Sequence, residues 1–91
     1  MKKKRVPLSR KIANHLEIPD DVLFGLPRIS MSGNRELRLE NYKTVLEYQD
    51  EQIRFACKNA CITVTGTSLS ITVITDDEVS ISGQILSVSF S

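Results

Sequence analysis

The fold of this chain is decided by residues 53–74, which read IRFACKNACITVTGTSLSITVI. Apolar side chains alternate with polar ones, first at Ile53 and Phe55 and again at Ile62 and Val64. A period of two places such side chains on one face of a β-strand. The stretch is also rich in Ile, Val and Thr, which favour strands. It therefore predicts β-strands separated by turns.

The same period extends outward in both directions, from Ile29 to Phe90. Turns are predicted where small or polar residues interrupt it, at Gly33-Asn34, Gln49-Asp50, Lys58-Asn59, Gly66-Thr67, Asp76-Asp77 and Gly83-Gln84. Strand starts that lie about 8–10 residues apart are typical of antiparallel sandwiches and rolls. We expect a mainly β domain of about seven to eight short strands with one of these architectures.

The parity of the alternation changes near Gly83. Val79 and Ile81 are at odd-numbered positions, whereas Leu86, Val88 and Phe90 are at even-numbered ones. Because a shift of one residue sends every side chain to the other face, the chain must bulge or turn a corner here, or bury both faces. Gly33, Gly66 and Gly83 each precede an apolar alternation. This faint repeat leaves a short β-solenoid as the alternative architecture.

Length and composition restrict the class of protein. The chain has 91 residues, the size of one domain, with 41% hydrophobic and 25% charged residues, as in ordinary globular proteins. Its apolar runs are too short for a transmembrane helix. Its two cysteines are too few for a disulfide scaffold, which predicts reduced thiols in an intracellular protein.

The N-terminus carries half of the positive charge, on Lys2, Lys3, Lys4, Arg5, Arg10 and Lys11. Leu8, Ile12 and Leu16 recur at helical spacing, which predicts a short amphipathic helix that ends before Pro19. Its apolar stripe needs a surface. That surface is the domain's own sheet, a partner protein, or a membrane with the basic residues at the headgroups. The alternative to binding by the positive charges is an N-terminus that is simply solvated.

The last third of the chain is rich in Ser and Thr and poor in charge. Between Thr63 and Ser91 the charged residues are Asp76, Asp77 and Glu78. Edge strands usually carry charges or proline, which block pairing with another chain. These strands therefore either lie inside the sheet or leave an edge open to a partner or a second copy.

Residues suited to catalysis or metal binding are sparse. His15 is the single histidine, and Cys57 and Cys61 lack a third ligand nearby, so no metal site is predicted. We expect the two thiols to act as small hydrophobic residues. The carboxylates at Asp20-Asp21 and at positions 76–78 fall in expected turns, where solvation disfavours acid–base catalysis. The sequence predicts neither an enzyme nor a cofactor.

One segment resembles a known family. Residues 23–33, LFGLPRISMSG, are similar to the small sporulation proteins of the YabP/YqfC type from endospore-forming bacteria. The resemblance covers about residues 18–90, and the basic N-terminus resembles the YqfC branch. The motif positions are Leu26, Pro27, Arg28, Ile29, Gly33, Asn41, Gly66 and Gly83.

The chain departs from the family pattern at one place. Family members often have Asn-His-Lys/Arg-Gly where this chain has Asn41-Tyr42-Lys43-Thr44. Thr resists the positive φ that Gly adopts, so the turn chemistry is expected to differ here. If the segment contacts a partner, its specificity differs too.

The resemblance implies a non-enzymatic protein that is made in the mother cell during sporulation and is needed for spore maturation at the cortex stage. Family members are typically encoded beside a membrane protein, which implies a membrane-associated partner. We expect residues 1–18 to form the basic arm and helix, and residues 19–91 the β-rich domain.

Three functions remain open from the sequence. The first is an adaptor or scaffold in the mother-cell cytoplasm, peripheral at the forespore membrane and attached through the basic residues with Leu8 and Ile12. The second is a structural module that self-associates through its C-terminal strands. The third, a regulator that binds nucleic acid, is the least favoured because the body of the chain is acidic.

Overall fold

A computed structural model describes residues 25–91 as six antiparallel strands in one open sheet. The strands are β1 (Arg28–Ser32), β2 (Glu36–Glu40), β3 (Tyr42–Tyr48), β4 (Gln52–Cys57), β5 (Ala60–Ile74) and β6 (Glu78–Phe90). Their order in the sheet is β1-β2-β6-β5-β4-β3. The mainly β prediction is confirmed. The predicted helix falls in residues 1–24, outside the described residues.

The predicted number of strands is wrong because β5 and β6 are each continuous through an expected turn. Gly66 lies inside β5 and Gly83 inside β6. The register between the two strands shifts beside Gly66, so the strands bulge and bend without turning back. Each long strand therefore replaces two predicted short ones. All the pairings are antiparallel, which rules out the solenoid alternative for the described residues.

The two long strands divide the sheet into two halves. In the β4 half, β3 and β4 continue into residues 60–65 of β5 and then residues 85–90 of β6. In the β2 half, β1 and β2 continue into residues 78–82 of β6 and then β5 beyond residue 70. The strands therefore form a single bent sheet and not a sandwich of two sheets. Of the two expected architectures, the roll is the closer one.

Both halves contribute to one hydrophobic core. Phe55, Ile62 and Val64 of the β4 half and Leu39 and Val79 of the β2 half are all fully buried. The core cluster is Leu37, Leu39, Ile53, Phe55, Cys57, Ile62, Val64, Leu69, Val79, Ile81 and Ile85. These are the residues of the alternating pattern, so one face of the bent sheet lies inside and the other faces solvent.

The corner between the halves depends on Gly66 and Gly83. A Cβ on Gly66 would lie 2.0 Å from the Gln84 carbonyl oxygen, and one on Gly83 would lie 2.6 Å from that of Ser68. Gly83 also has a φ of 139°, which L side chains rarely adopt. The close approach of the two backbones therefore requires glycine at both positions. The bulge expected near Gly83 is confirmed as this corner.

Candidate interaction surface

Within residues 25–91, the second half of β6 has a strand partner on one side only. Residues 85–90 pair with β5, whereas pairing with β2 stops at Ser82. The N–H groups of Gly83 and Ile85 still donate to the carbonyl oxygens of Arg35 and Asn34, at 3.1 Å and 2.8 Å. Beyond Ile85, within the described part of the chain, β6 is an open edge. Of the two options left by the sequence, the interior position holds for the first half of β6 and the open edge for the second.

Large apolar side chains line this open edge. Leu86 is 65% exposed and Phe90 is 62% exposed, with the partly buried Val88 between them. No charged residue occurs from Val79 to Ser91. A flat, uncharged edge with free backbone groups is the surface to which another strand adds. We call residues 86–90 the β6 edge.

A second uncharged edge, at the end of β5, is flanked by tyrosines of β3. The Ile71 N–H donates to the Tyr48 hydroxyl oxygen at 2.9 Å, and the Tyr42 hydroxyl donates to the Thr75 carbonyl at 2.6 Å. The Tyr42 ring also packs edge-on against Phe55, at a centroid distance of 5.9 Å. These contacts hold β3 beside β5 and occupy backbone groups that a strand from another chain would need.

Sequence reasoning missed these two tyrosines. They lie six positions apart on one strand, so the period of two places them on the same face. Tyrosine combines an apolar ring with a hydroxyl that needs a partner when it lies near a core. Two tyrosines on one face of a predicted strand could therefore have indicated that their hydroxyl groups bond to a neighbouring strand.

The solvent face of the β2 half contains a shallow groove with a volume of about 430 Å³. Hydroxyl groups dominate it, from Ser30, Ser32, Thr72, Ser80 and Ser82. Arg38 also lines the groove, but its guanidinium pairs with Glu78 and lies 3.6 Å from Glu40. The charge of Arg38 is thus matched, and the groove offers these hydroxyl groups together with the carboxylate of Glu36.

The two cysteines lie on opposite faces of the β4–β5 hairpin. Cys57 is opposite Ala60 and Cys61 is opposite Ala56, so the two side chains alternate in direction. Both are free thiols. Burial raises the pKa of the Cys57 thiol, and the neighbouring Cys61 raises it further. A raised pKa disfavours the thiolate, which is the reactive form.

Asn41 joins three parts of the fold. It has a φ of 68°, a left-handed conformation that Asn tolerates better than most residues. Its side-chain amide donates to the Leu26 carbonyl at 2.9 Å, and its backbone N–H donates to the Asp77 carbonyl at 2.7 Å. This motif position therefore ties the segment before β1 and the β5–β6 turn to the β2–β3 connection.

The remaining motif positions lie on or beside β1. Pro27 directly precedes the strand, Arg28 lies 3.7 Å from Glu40, and Ile29 packs against the core. Gly33 forms the β1–β2 turn with a φ of 54°. With Gly66 and Gly83 at the corner, the structure gives the motif residues structural roles. Partner binding by them stays a prediction.

The segment that departs from the family pattern is accommodated without strain at Thr44. Among the described residues, positive φ angles of non-glycine residues fall at Asn41, Asn59 and Ser68. The β3–β4 register shifts between Tyr42 and Thr44, so a bulge occupies this position. Thr44 therefore lies in a bulged strand, and the expected difference from the family's turn stays a prediction.

The predicted membrane-contacting residues are outside the described residues. They are Lys2, Lys3, Lys4, Arg5, Leu8, Arg10, Lys11 and Ile12. Within residues 25–91, no helix is long and apolar enough to cross a membrane. Across the same residues, no three His, Cys, Asp or Glu side chains group together as metal ligands would.

The sequence of this chain is similar to known proteins. The sequence model of the YabP family matches residues 26–91. The uncharacterized protein YqfC of Bacillus subtilis (strain 168) is 33% identical over 70 residues, which cover 77% of this chain and 75% of that protein. No solved structure matches the chain.

Proposed function

The chain belongs to the YabP family, and on that basis we propose that it is a non-enzymatic adaptor that acts during spore formation. It works in the mother cell, at the surface of the forespore membrane, together with a membrane-protein partner. Its action is needed for spore maturation at the cortex stage. Membership of the family suggests the link to sporulation, and the surface of the domain supports the adaptor role.

The observation that carries the adaptor role is the β6 edge. Leu86 and Phe90 are large apolar side chains, and each is more than half exposed on a strand that has no second partner among the described residues. Contiguous exposed apolar groups on a small domain mark surfaces that bind other proteins. The groove on the other half adds hydroxyl groups that suit polar contacts at the rim of such an interface.

The basic N-terminus supports the membrane location. Each cation close to an anionic membrane surface contributes ~1 kcal/mol, so six of them give a useful but reversible attraction. Leu8 and Ile12 supply apolar contact beside these charges. The basic N-terminus and the β domain therefore have separate roles: the first contacts the membrane and the second binds a protein.

The test images a fluorescent fusion of the full chain in sporulating cells. Replacing Lys2, Lys3 and Lys4 with Gln is expected to reduce the ring of fluorescence around the forespore. The matched control replaces Arg35, Lys43 and Lys58 with Gln, which removes the same charge from the β domain. We expect the control to keep the ring. Equal recruitment of both variants would contradict a membrane role for the arm.

A second arm of the experiment tests the partner and the stage. The neighbouring gene is expected to encode a membrane protein, as is typical of the family, and in cells without that protein the ring is expected to disappear. Cells without the chain itself are expected to form forespores that stop before a normal cortex, as seen by electron microscopy. Heat-resistant spores with a normal cortex would refute the role in maturation.

The β6 edge also favours a second candidate, a self-assembling structural module. An uncharged edge accepts strands from other copies as readily as from a partner. This candidate predicts large assemblies that grow with protein concentration. Light scattering by the purified full chain separates such assemblies from the small complexes of an adaptor.

A further inference from the structure

We propose that the β6 edge is a symmetric dimer site, at which β6 of a second copy of this chain adds antiparallel with Val88 opposite Val88. The inference concerns the same edge as the adaptor role and narrows it: the protein that covers the β6 edge is a second copy of this chain, and the membrane-protein partner contacts the dimer elsewhere. It does not depend on the role in sporulation. It rests on the direction of the backbone groups, on the side chains of the edge and on its lack of charge.

In the β6 edge, the backbone N–H and C=O groups of every second residue point toward the side without a strand partner. Ser91 exchanges both backbone bonds with Cys61 of β5, at 2.8 Å and 2.9 Å. In an antiparallel pair, residues bonded in this way alternate with residues that exchange no bonds. The register to β5 is unbroken back to Ser87. The N–H and C=O groups of Val88 and Phe90 therefore point away from β5 and lack a strand partner among the described residues.

These groups and the apolar side chains fit a second copy in one register. When Val88 faces its own copy across a two-fold axis, the two residues exchange both backbone bonds. Phe90 of each copy then lies opposite Leu86 of the other. Val88 and Phe90 alternate along the regular part of the strand, so their side chains share one face, and Leu86 lies in the bulge that directly precedes this part. In this pairing Leu86 and Phe90, the two most exposed large apolar residues within residues 25–91, lie opposite each other.

The lack of charge argues for an identical partner. In a two-fold strand pair, the residue on the axis meets its own copy, so a charged residue there would face like charge. No residue from Val79 to Ser91 is charged. In this register apolar residues meet apolar ones, and Ser87 meets Ser89 on the other face. A partner of different sequence would place no such restriction on the edge.

Symmetry also limits the size of the assembly. A two-fold pair uses the same edge on both copies, so the contact closes at two chains. The other uncharged edge, on β5, is flanked by the Tyr42 and Tyr48 hydroxyls. The proposal is therefore a discrete dimer, in contrast to the large assemblies of the second candidate above.

The test measures the mass of the full-length chain by analytical ultracentrifugation from low to high micromolar concentration. We expect a shift from monomer to dimer without larger species. Leu86→Glu and Phe90→Lys each bury an unpaired charge in the dimer but leave the exposed monomer position solvated. Each is expected to weaken the dimer at least about tenfold. The control is Val73→Glu, because Val73 is an exposed apolar residue of the other uncharged edge, at 49%.

The double variant L86E/F90K tests the register. In the proposed pairing, the introduced carboxylate of one copy lies opposite the introduced ammonium of the other, so the dimer is expected to recover. Val88→Pro gives an independent test, because it removes the N–H at the axis and an edge strand accepts proline on its free side. Thermal unfolding of each variant checks that the monomer still folds.

Several results would overturn the proposal. A chain that stays monomeric at every concentration excludes the second copy as the occupant, whichever segment or partner covers the edge instead. A dimer that Leu86→Glu and Phe90→Lys leave unchanged, or that Val73→Glu weakens equally, lies elsewhere. A double variant no tighter than the single ones rejects the Val88-centred register.

Discussion

The Cα of Gly66 lies so close to the backbone of Gln84 that an added Cβ would be 2.0 Å from the Gln84 carbonyl oxygen. Real Cβ atoms essentially never approach another atom this closely. The atom in the way belongs to the backbone, which cannot rotate aside like the end of a flexible side chain. The corner of the sheet therefore depends on the absence of one methyl group.

Gly66→Ala is expected to lower the free energy of unfolding by about 3 kcal/mol, because β5 and β6 must separate to admit the methyl group. The matched control is Gly33→Ala, where an added Cβ meets no atom within 4 Å and only the φ of 54° opposes it. That control should cost about 1 kcal/mol. Denaturant unfolding measures both. Equal losses would show that the corner yields easily.

At Asn41, the contributions of the backbone conformation and of the side-chain hydrogen bond to stability can be measured separately. Asn41→Gly keeps the backbone conformation but loses the bond from the side-chain amide to the Leu26 carbonyl, which should cost about 1 kcal/mol. Asn41→Ala also forces a side chain into the left-handed region, which adds about 1 kcal/mol. Denaturant unfolding should rank the wild type above Asn41→Gly and Asn41→Ala last. Equal stability of the two variants would mean that φ at this position is unimportant.

Tyr48→Phe is expected to loosen the edge of β5. The variant keeps the ring but removes the oxygen that accepts the Ile71 N–H. Amide hydrogen exchange at Ile71 should become faster, while exchange at the fully buried Ile81 stays unchanged. The global loss should be no more than about 1 kcal/mol, since water replaces the lost partner. An unchanged exchange rate at Ile71 would show that the hydroxyl does not protect this edge.

The two thiols are expected to react at different rates. Alkylating reagents attack the thiolate, and burial raises the pKa of Cys57 and restricts access to it. In the folded protein, iodoacetamide should therefore modify Cys61 first, since it is less buried than Cys57. Unfolding should remove the difference, which mass spectrometry of the peptides can follow. Faster modification of Cys57 in the folded state would contradict its burial.

The pKa of Cys57 also predicts a loss of stability in alkaline solution. The pKa is higher in the folded state than in the unfolded state, so the unfolded chain releases this proton first as the pH rises. The stabilising contribution of the neutral thiol is complete below the unfolded pKa and is lost as the pH rises through the folded one. Denaturant unfolding at several alkaline pH values should show this decline, and Cys57→Ala should show less of it. An equal decline in both proteins would assign it to other groups.

Much of the fold follows from the sequence, because one face of each strand is buried. Ile53, Phe55, Ile62 and Val64 alternate in the sequence and are all fully buried in the core. The turns between β1 and β2, β3 and β4, β4 and β5, and β5 and β6 fall where they are predicted. Period and turn chemistry are local signals, and for these elements the local signals are sufficient.

The continuous strands could not be predicted, because the reason for each glycine lies across the sheet. A glycine in an alternating segment fits either a turn or a close approach of two backbones. Gly66 serves the second purpose only because Gln84 lies opposite it. The pairing of β2 with β6 is likewise invisible in the sequence, since nothing local to Leu39 specifies Val79 as its neighbour.

The candidate surface could be predicted in part. The lack of charge between Val79 and Ser91 indicated either a buried strand or an open edge. The sequence could not separate these options, because β6 passes from the interior of one half to the edge of the other. The tyrosines beside β5 were missed, since their hydroxyl partners come from a distant strand.

The pairing of Leu39 with Val79 has a consequence for how the protein is made. While the ribosome is still synthesising residues 41–78, β2 has been made but its neighbour β6 does not yet exist. Leu37 and Leu39 therefore stay without their final partners until translation reaches Ile81. Contacts so far apart in the chain also form slowly. The apolar face of the newly made β1–β2 hairpin therefore stays exposed at first. The core becomes complete only after the β5–β6 hairpin has left the ribosome.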